Sequence, residues 1–320
     1  MKIILITPAK KLSKSGNRTT ALRWARILRA LGHKVSIQLD WDGSAADMMV
    51  AIHAWRSAGS IERFRLNYPD RPLLVILSGT DIYSYQHSHP EQTCKSMARA
   101  DALVCLHDLV HQAIPQEFTH KLHVLHQSAR PLKSTRRPSR HSFDICVIGH
   151  LREEKDPLRA AYAARLLDEA SRLRVFHLGK AHNEDWANAA HKEMKVNQRY
   201  RWLGEVGGWR VRQEFVKTQL MVISSIMEGG ANVVSETVVA GVPILASKID
   251  GNVGLLGEDY PGYYEAKDTQ ALLALLQRCE NDTDFLQLLL EHAGRFKHLF
   301  DPTREQAQWQ RLLQKINSLH

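Results

Sequence analysis

The chain has 320 residues, of which 44% are hydrophobic and 24% charged, with a formal net charge of +9. That length favours two domains over one or three, and the apolar share suffices for sizeable cores, which excludes a disordered chain. No apolar run reaches the ~18 residues that a membrane-spanning helix needs.

The opening MKIILITPAK has an apolar stretch too short for a signal peptide and no small-residue cleavage site behind it. It reads as a first buried strand, and the expectation is a cytoplasmic protein without a membrane partner. Cys94, Cys105, Cys146 and Cys279 show no CxxC spacing, which argues for reduced, mostly buried thiols rather than a disulfide framework or zinc knuckle. The basic excess invites a nucleic-acid surface. However, the cations lie along helical patterns such as ALRWARILRA, opposite apolar stripes, as on solvated faces. The dense run Arg130–Ser142 lacks interleaved aromatics and reads as a linker. The expected partners are therefore phosphorylated small molecules, not nucleic acid.

In chain order, KIILITP is strand-like, and a helical pattern follows from about Thr19 to Leu31. Gly32 stands where a helix C-cap belongs, ahead of the strand GHKVSIQL. DMMVAIHA, a helix near Ser57–Asn67, PLLVILSG, the CKSMARA helix, DALVCLH and KLHVLHQS complete the first half. After the linker, FDICVIGHL, LRVFHLG, YRWLGEV, LMVISSI and VPILAS alternate with helices, and the stretch from about Asp268 is mostly helical. Strands separated by helices mean βαβ units and parallel sheets, so the expectation is two doubly wound α/β domains. In such folds, ligands sit in the loops beyond the carboxyl ends of the strands.

Three such loops stand out in the second half. GHLREEKD (149–156) offers Arg152 and Lys155 three apart, just ahead of a helix with Pro157 in its first turn. A planar fork and a point charge at that spacing can share one anion; the plainer alternative is a surface network with Glu153 and Glu154. EGGANVVSE (228–236) places Gly229 and Gly230 at a strand-to-helix turn bracketed by Glu228 and Glu236. Bare backbone and a helix N-terminus suit a diphosphate. Carboxylates suit vicinal hydroxyls, so the combination fits a nucleotide sugar. The third loop, LGEV with Leu203 and Glu205, offers backbone groups for a base edge.

These residues resemble the GT-B glycosyltransferases, closest to the group-4-like, nucleotide-sugar-dependent set. The resemblance implies two Rossmann-like domains facing across a cleft. An N-terminal acceptor-side domain would span 1–140, a nucleotide-sugar domain 141–298, and a closing helix 299–320 would pack back toward the first. It implies Arg152, Lys155 and Glu228 as the catalytic set, with the cations on the donor diphosphate and Glu228 on the transferred sugar. Gly149, Leu203, Glu205, Gly229, Gly230, Ala231, Asn232, Val233 and Glu236 would line the donor site, Glu236 on the ribose. No metal or cofactor is implied. A narrower set, including SGNRTTALRWARILRALGHKV, ILSGTDIY, VIGHLREEKDPLRAA and GNVGLLGEDYPGYY, is similar to the selenosugar synthases of selenoneine biosynthesis. That family would couple UDP-N-acetylglucosamine or UDP-glucose to selenophosphate, giving a 1-selenosugar, UDP and phosphate. EGGAN departs from ordinary group-4 members, which often carry an aromatic or proline after the first Glu.

On the acceptor side, the loop with Lys14, Gly16, Asn17, Arg18 and Thr19 reads as an oxyanion cradle, or as a flap over the donor diphosphate. His53, Arg56, Thr80 and Asp81 fall at neighbouring strand ends. Asp40 and Asp42 match a DxD metal motif but read as surface acids. His107 and His111 have zinc-like spacing, yet among 17 histidines chance pairs are expected. The competing readings are a glycosyltransferase acting on a lipid, glycan or protein hydroxyl, a GT-B epimerase or hydrolase that releases UDP, and a nucleic-acid-binding module. A monomer and a homodimer are both compatible with the sequence.

Overall fold

A computed structural model describes residues 1–318. It contains two six-stranded parallel sheets. The first is built from β1 (Lys2–Ile6), β2 (Lys34–Gln38), β3 (Met48–Ile52), β4 (Leu73–Ile76), β5 (Ala102–Cys105) and β6 (Leu122–Val124), in the order β2-β1-β3-β4-β5-β6. The second uses β7 (Phe143–Ile148), β8 (Leu173–Leu178), β9 (Tyr200–Trp202), β10 (Leu220–Ile223), β11 (Ile244–Ser247) and β12 (Tyr263–Tyr264), in the order β12-β11-β10-β7-β8-β9. The alternation of strands and helices in the sequence predicts this architecture. Only β12 escapes it, because two residues carry no periodicity.

The chain divides into two compact units. One holds Met1–Ser128, Gly229–Asn232 and the residues from Leu299 onward; the other holds Ala129–Glu228 and Val233–His298. The first sheet is covered on both faces, as continuous apolar strands require. Ile4, Ile6, Met49, Ala51 and Val75 face a core containing Phe64 and Met97. Their chain neighbours Ile3, Leu5, Met48 and Val50 face a second core with Trp24, Leu28, Trp309 and Leu313. The helix Pro302–Asn317 supplies the last two of these. Asp301 caps it by accepting from the Thr303 N–H at 2.7 Å, and Trp309 meets Trp24 edge-on at 5.1 Å.

Two local expectations are corrected. The first long helix begins at Gly16, not near Thr19, with Ser15 as its N-cap; its polar first turn hides the start from apolar periodicity. Pro157 lies outside the helix it was expected to open: a 3-10 turn at Glu153–Lys155 is followed by left-handed Asp156 and a helix at Arg159–Arg165. The 130–142 stretch, read as a linker, is held by hydrogen bonds. Arg136 Nη1 donates to the Gly241 carbonyl at 2.6 Å, and the Arg137 N–H donates to Val216 at 2.7 Å. Among the described residues no helix is long and apolar enough to cross a membrane, and all four cysteines are free thiols.

Candidate active site

Each sheet reverses its strand order once, and at such a reversal the loops beyond the two central strands diverge and leave a crevice. In the second unit the reversal lies between β7 and β10. The loop after β7 carries Arg152 and Lys155; the loop after β10 carries Glu228. The two loops are stitched together: the Ile226 N–H donates to the Glu154 carbonyl at 2.9 Å, and Ser224 Oγ donates to the Asp156 carbonyl at 2.8 Å.

Within this frame Lys155 Nζ donates to Glu228 Oε1, and Ser225 Oγ donates to the same oxygen at 2.6 Å. Glu228 is buried, 8% exposed. Gly251 permits this placement, since a Cβ there would stand 2.2 Å from the Glu228 carbonyl oxygen. Beside this pair Arg152 Nε lies 3.7 Å from Glu154 Oε2, so part of the alternative carboxylate network exists. That Arg152 Nε is buried without a hydrogen bond.

The rest of the second-unit set is arranged around this pair. The Gly149 carbonyl accepts from His177 Nε2 at 3.0 Å. His150 Nδ1 accepts from the Lys180 N–H at 3.1 Å. Burial lowers the His150 pKa first, and the positive charges of Arg152, Lys155 and Lys180 lower it further against Glu205. Lys180 and Ser225 carry no motif of their own, and His150 and Gly251, though inside quoted stretches, carry no signal in the sequence that assigns them a role. The Leu203 N–H is committed to the His177 carbonyl at 2.8 Å, which removes it as a donor to a base edge; Glu205 is exposed. Gly230 has φ 113°, a left-handed conformation suited to glycine. Ala231 and Val233 are buried, and Glu236 is half-buried in the helix Asn232–Ala240. Gly229 to Asn232 group with the first unit.

In the first unit the reversal lies between β1 and β3. The loop after β1 leads to the helix Gly16–Ala30, so Gly16, Asn17, Arg18 and Thr19 form its first turn, with exposed Lys14 just ahead. That turn holds no acidic residue, and Ser15 makes no side-chain cap. Ser15 Oγ and Arg18 Nε are buried without hydrogen bonds. The turn after β3 begins at His53, which is 1% exposed and left-handed at φ 79°. Its Nδ1 is 2.7 Å from Asp81 Oδ1 and its Nε2 is 3.1 Å from Thr80 Oγ1. Asp81, fully buried, also accepts from the Ala54 N–H (2.9 Å), the Trp55 N–H (3.0 Å), the Ser78 N–H (2.9 Å) and Ser78 Oγ (3.0 Å). The Arg56 side chain is exposed, while its N–H approaches His53 Nδ1 at 3.3 Å.

Among the described residues no group of three or more His, Cys, Asp or Glu is placed to hold a metal. Asp40 is taken up by Ser60 and by Arg63 at 2.8 Å. His107 approaches the Tyr83 hydroxyl at 3.4 Å, and His111 Nδ1 bonds the Asp108 carbonyl.

Residues 133–295, just over half the chain, match the family described as glycosyl transferases group 1, and the chain belongs to it. Among solved structures it is similar to HepE of Anabaena in complex with UDP and glucose. That likeness has 14% identity and a TM-score of 0.78 over 98% of this chain and 100% of that one. Sucrose-phosphate synthase of Thermosynechococcus elongatus is similar at 13% identity and a TM-score of 0.80 over 100% of both chains. A glycosyltransferase of Rickettsia africae is similar at 14% identity and 0.74 over 98% of each. At these identities the likeness carries the fold, which is GT-B. No curated protein matches the sequence.

Proposed function

We propose that the chain transfers a sugar from UDP-N-acetylglucosamine or UDP-glucose to selenophosphate, leaving a 1-selenosugar and releasing UDP and phosphate. The observation that carries the donor half is the Lys155–Glu228–Ser225 array at the strand reversal of the second sheet. In this reading Arg152 and Lys155 balance the diphosphate, Glu228 Oε2 takes a sugar hydroxyl, and Glu236 takes the ribose. HepE, with UDP and glucose bound, supports the choice of donor. The acceptor half draws on the uncapped, acid-free first turn with Lys14 and Arg18, which suits a small anion, and on the stretches that resemble selenosugar synthases. Selenium in selenophosphate is already an anionic nucleophile. The work of the protein is then placement and stabilisation of departing UDP. No metal or cofactor enters this reading.

The test is mass spectrometry of the purified protein incubated with UDP-N-acetylglucosamine and selenophosphate. A selenium isotope pattern on a hexosamine, dependent on both substrates and lost in Glu228→Ala, is the expected result. UDP release without selenium incorporation would overturn the acceptor and return the search to hydroxyls.

A further inference from the structure

Thr80, His53 and Asp81 stand in the order hydroxyl, imidazole, carboxylate. We propose that this chain of groups is a base relay that cleaves the phosphorus–selenium bond of a glycosyl selenophosphate by hydrolysis. The inference rests on the selenophosphate reading above, which requires that bond to break and assigns no residue to the step.

The geometry fixes what each group does. A carboxylate can only accept, so the 2.7 Å contact with Asp81, much shorter than the 3.3 Å approach of the Arg56 N–H to the same nitrogen, places the proton of His53 on Nδ1. The four further donors to Asp81 hold it rigidly. The Nε2 lone pair is then left facing the Thr80 hydroxyl. His53 itself is buried, whereas Thr80 is half-exposed, so Thr80 Oγ is the outlet of the relay. This is the arrangement by which a base, oriented by a third group, activates a hydroxyl or water.

Two backbone irregularities converge on the same imidazole. His53 is one of three non-glycine residues with positive φ among the described residues, a sparsely populated conformation that persists only where the surroundings hold it. Asp81 opens a π-helical turn, Asp81–Tyr85, a rare element that concentrates at functional sites. The turn brings Tyr85 to 5.7 Å from the His53 ring. Both irregularities lie beyond adjacent strands β3 and β4, at their carboxyl ends.

In the step, a water oxygen attacks phosphorus. The new P–O bond forms as the P–Se bond breaks, and selenium leaves with the bonding pair as a selenolate. The water proton passes to Thr80 Oγ while the hydroxyl proton of Thr80 passes to His53 Nε2. The imidazolium, held beside Asp81, then returns its proton to the departing phosphate.

The experiment follows UDP release and phosphate release separately in the full chain supplied with UDP-N-acetylglucosamine and selenophosphate, with mass spectrometry of the sugar products. In Thr80→Ala and His53→Gln, phosphate release should fall further than UDP release, by on the order of a hundredfold. An ion containing hexosamine, selenium and phosphorus should accumulate, and Thr80→Ser should restore phosphate release. Circular dichroism and melting curves select the variants that fold. The relay is overturned if folded variants release UDP and phosphate in the wild-type ratio with no phosphorylated selenosugar. Wild-type protein that yields no selenium-containing sugar overturns the selenophosphate reading itself.

Discussion

Lys155 and Glu228, 73 residues apart in the chain, meet as an ion pair at the point where the second sheet reverses its strand order. Their side chains are 21% and 10% exposed, so removing one partner leaves the other largely buried and uncompensated. Glu228→Gln and Lys155→Met should each cost about 2 kcal/mol in denaturant melts. Each should lower the rate of UDP release on the order of a hundredfold. The double variant should lose less stability than the sum of the two singles while remaining inactive. Strict additivity in the melts would count against an energetic coupling between the two side chains.

The sheets were legible because β-branched runs separated by amphipathic stretches admit little besides parallel βαβ units. The turn that carries Glu228 was legible for a similar reason: two glycines between a strand and a helix are a local signal. The pairing of Glu228 with Lys155 was not. Arg152 and Lys155 share a loop, so their spacing suggested one joint anion site, and only the strand order brings the β10 loop against Lys155. The His53–Asp81 pair was hidden in the same way. His53 directly follows β3 and Asp81 opens the turn beyond β4, and the parallel β3–β4 pairing makes them neighbours. The commitment of the Leu203 N–H was hidden as well, because sheet hydrogen bonding runs one residue past Trp202. Local chemistry thus reads from spacing, whereas pairings across strands depend on sheet order.

The buried carboxylate of Glu305 ties the C-terminal helix to the first unit. It accepts from Trp24 Nε1 at 2.7 Å and from the Ser128 N–H at 3.1 Å, and Ser128 Oγ donates to its Oε2. At zero exposure, each donor it abandons would lose its partner without gaining water. Glu305→Ala should therefore destabilise the protein by about 3 kcal/mol, with Trp24→Phe smaller, about 1 kcal/mol. Urea midpoints of the two variants check the ranking; equal midpoints would mean that the ring packing of Trp24 outweighs its hydrogen bond.

Acid should destabilise the fold well before the carboxylates titrate. Burial pushes both His107 and His177 down to about 4. His33, His123 and His150 are lowered as well, with burial the largest cause in each. An unfolded imidazole titrates near 6.5. Between about pH 6.5 and 4 the unfolded chain therefore holds protons that the folded chain does not, and stability must rise with pH across that window. His107 and His177 should each withdraw about 3 kcal/mol by pH 4. Glu214, whose carboxyl burial raises, opposes this trend. Urea midpoints at pH 7, 5.5 and 4.5 should fall in that order, and a flat series would show that these imidazoles are hydrated in solution.

Gly251 offers a test of how closely Glu228 must be held. A Cβ at that position would stand 2.2 Å from the Glu228 carbonyl oxygen and 2.7 Å from its Cβ, so Gly251→Ala forces the Glu228 backbone to move. Glu228 shares its oxygen Oε1 with Lys155 and Ser225, and a shift of about 1 Å at a positioned group can lower a rate on the order of a hundredfold. Gly294, in the helix Thr283–Arg295, has open space where its Cβ would be. Gly294→Ala should raise stability by up to about 1 kcal/mol, because alanine favours the helix and restricts the unfolded chain. The pair separates a general glycine effect from displacement of Glu228. UDP release should collapse in Gly251→Ala and stay at the wild-type rate in Gly294→Ala. Near-normal UDP release in a folded Gly251→Ala protein would mean that the chemistry tolerates movement of Glu228, and its assignment to the transferred sugar would fall.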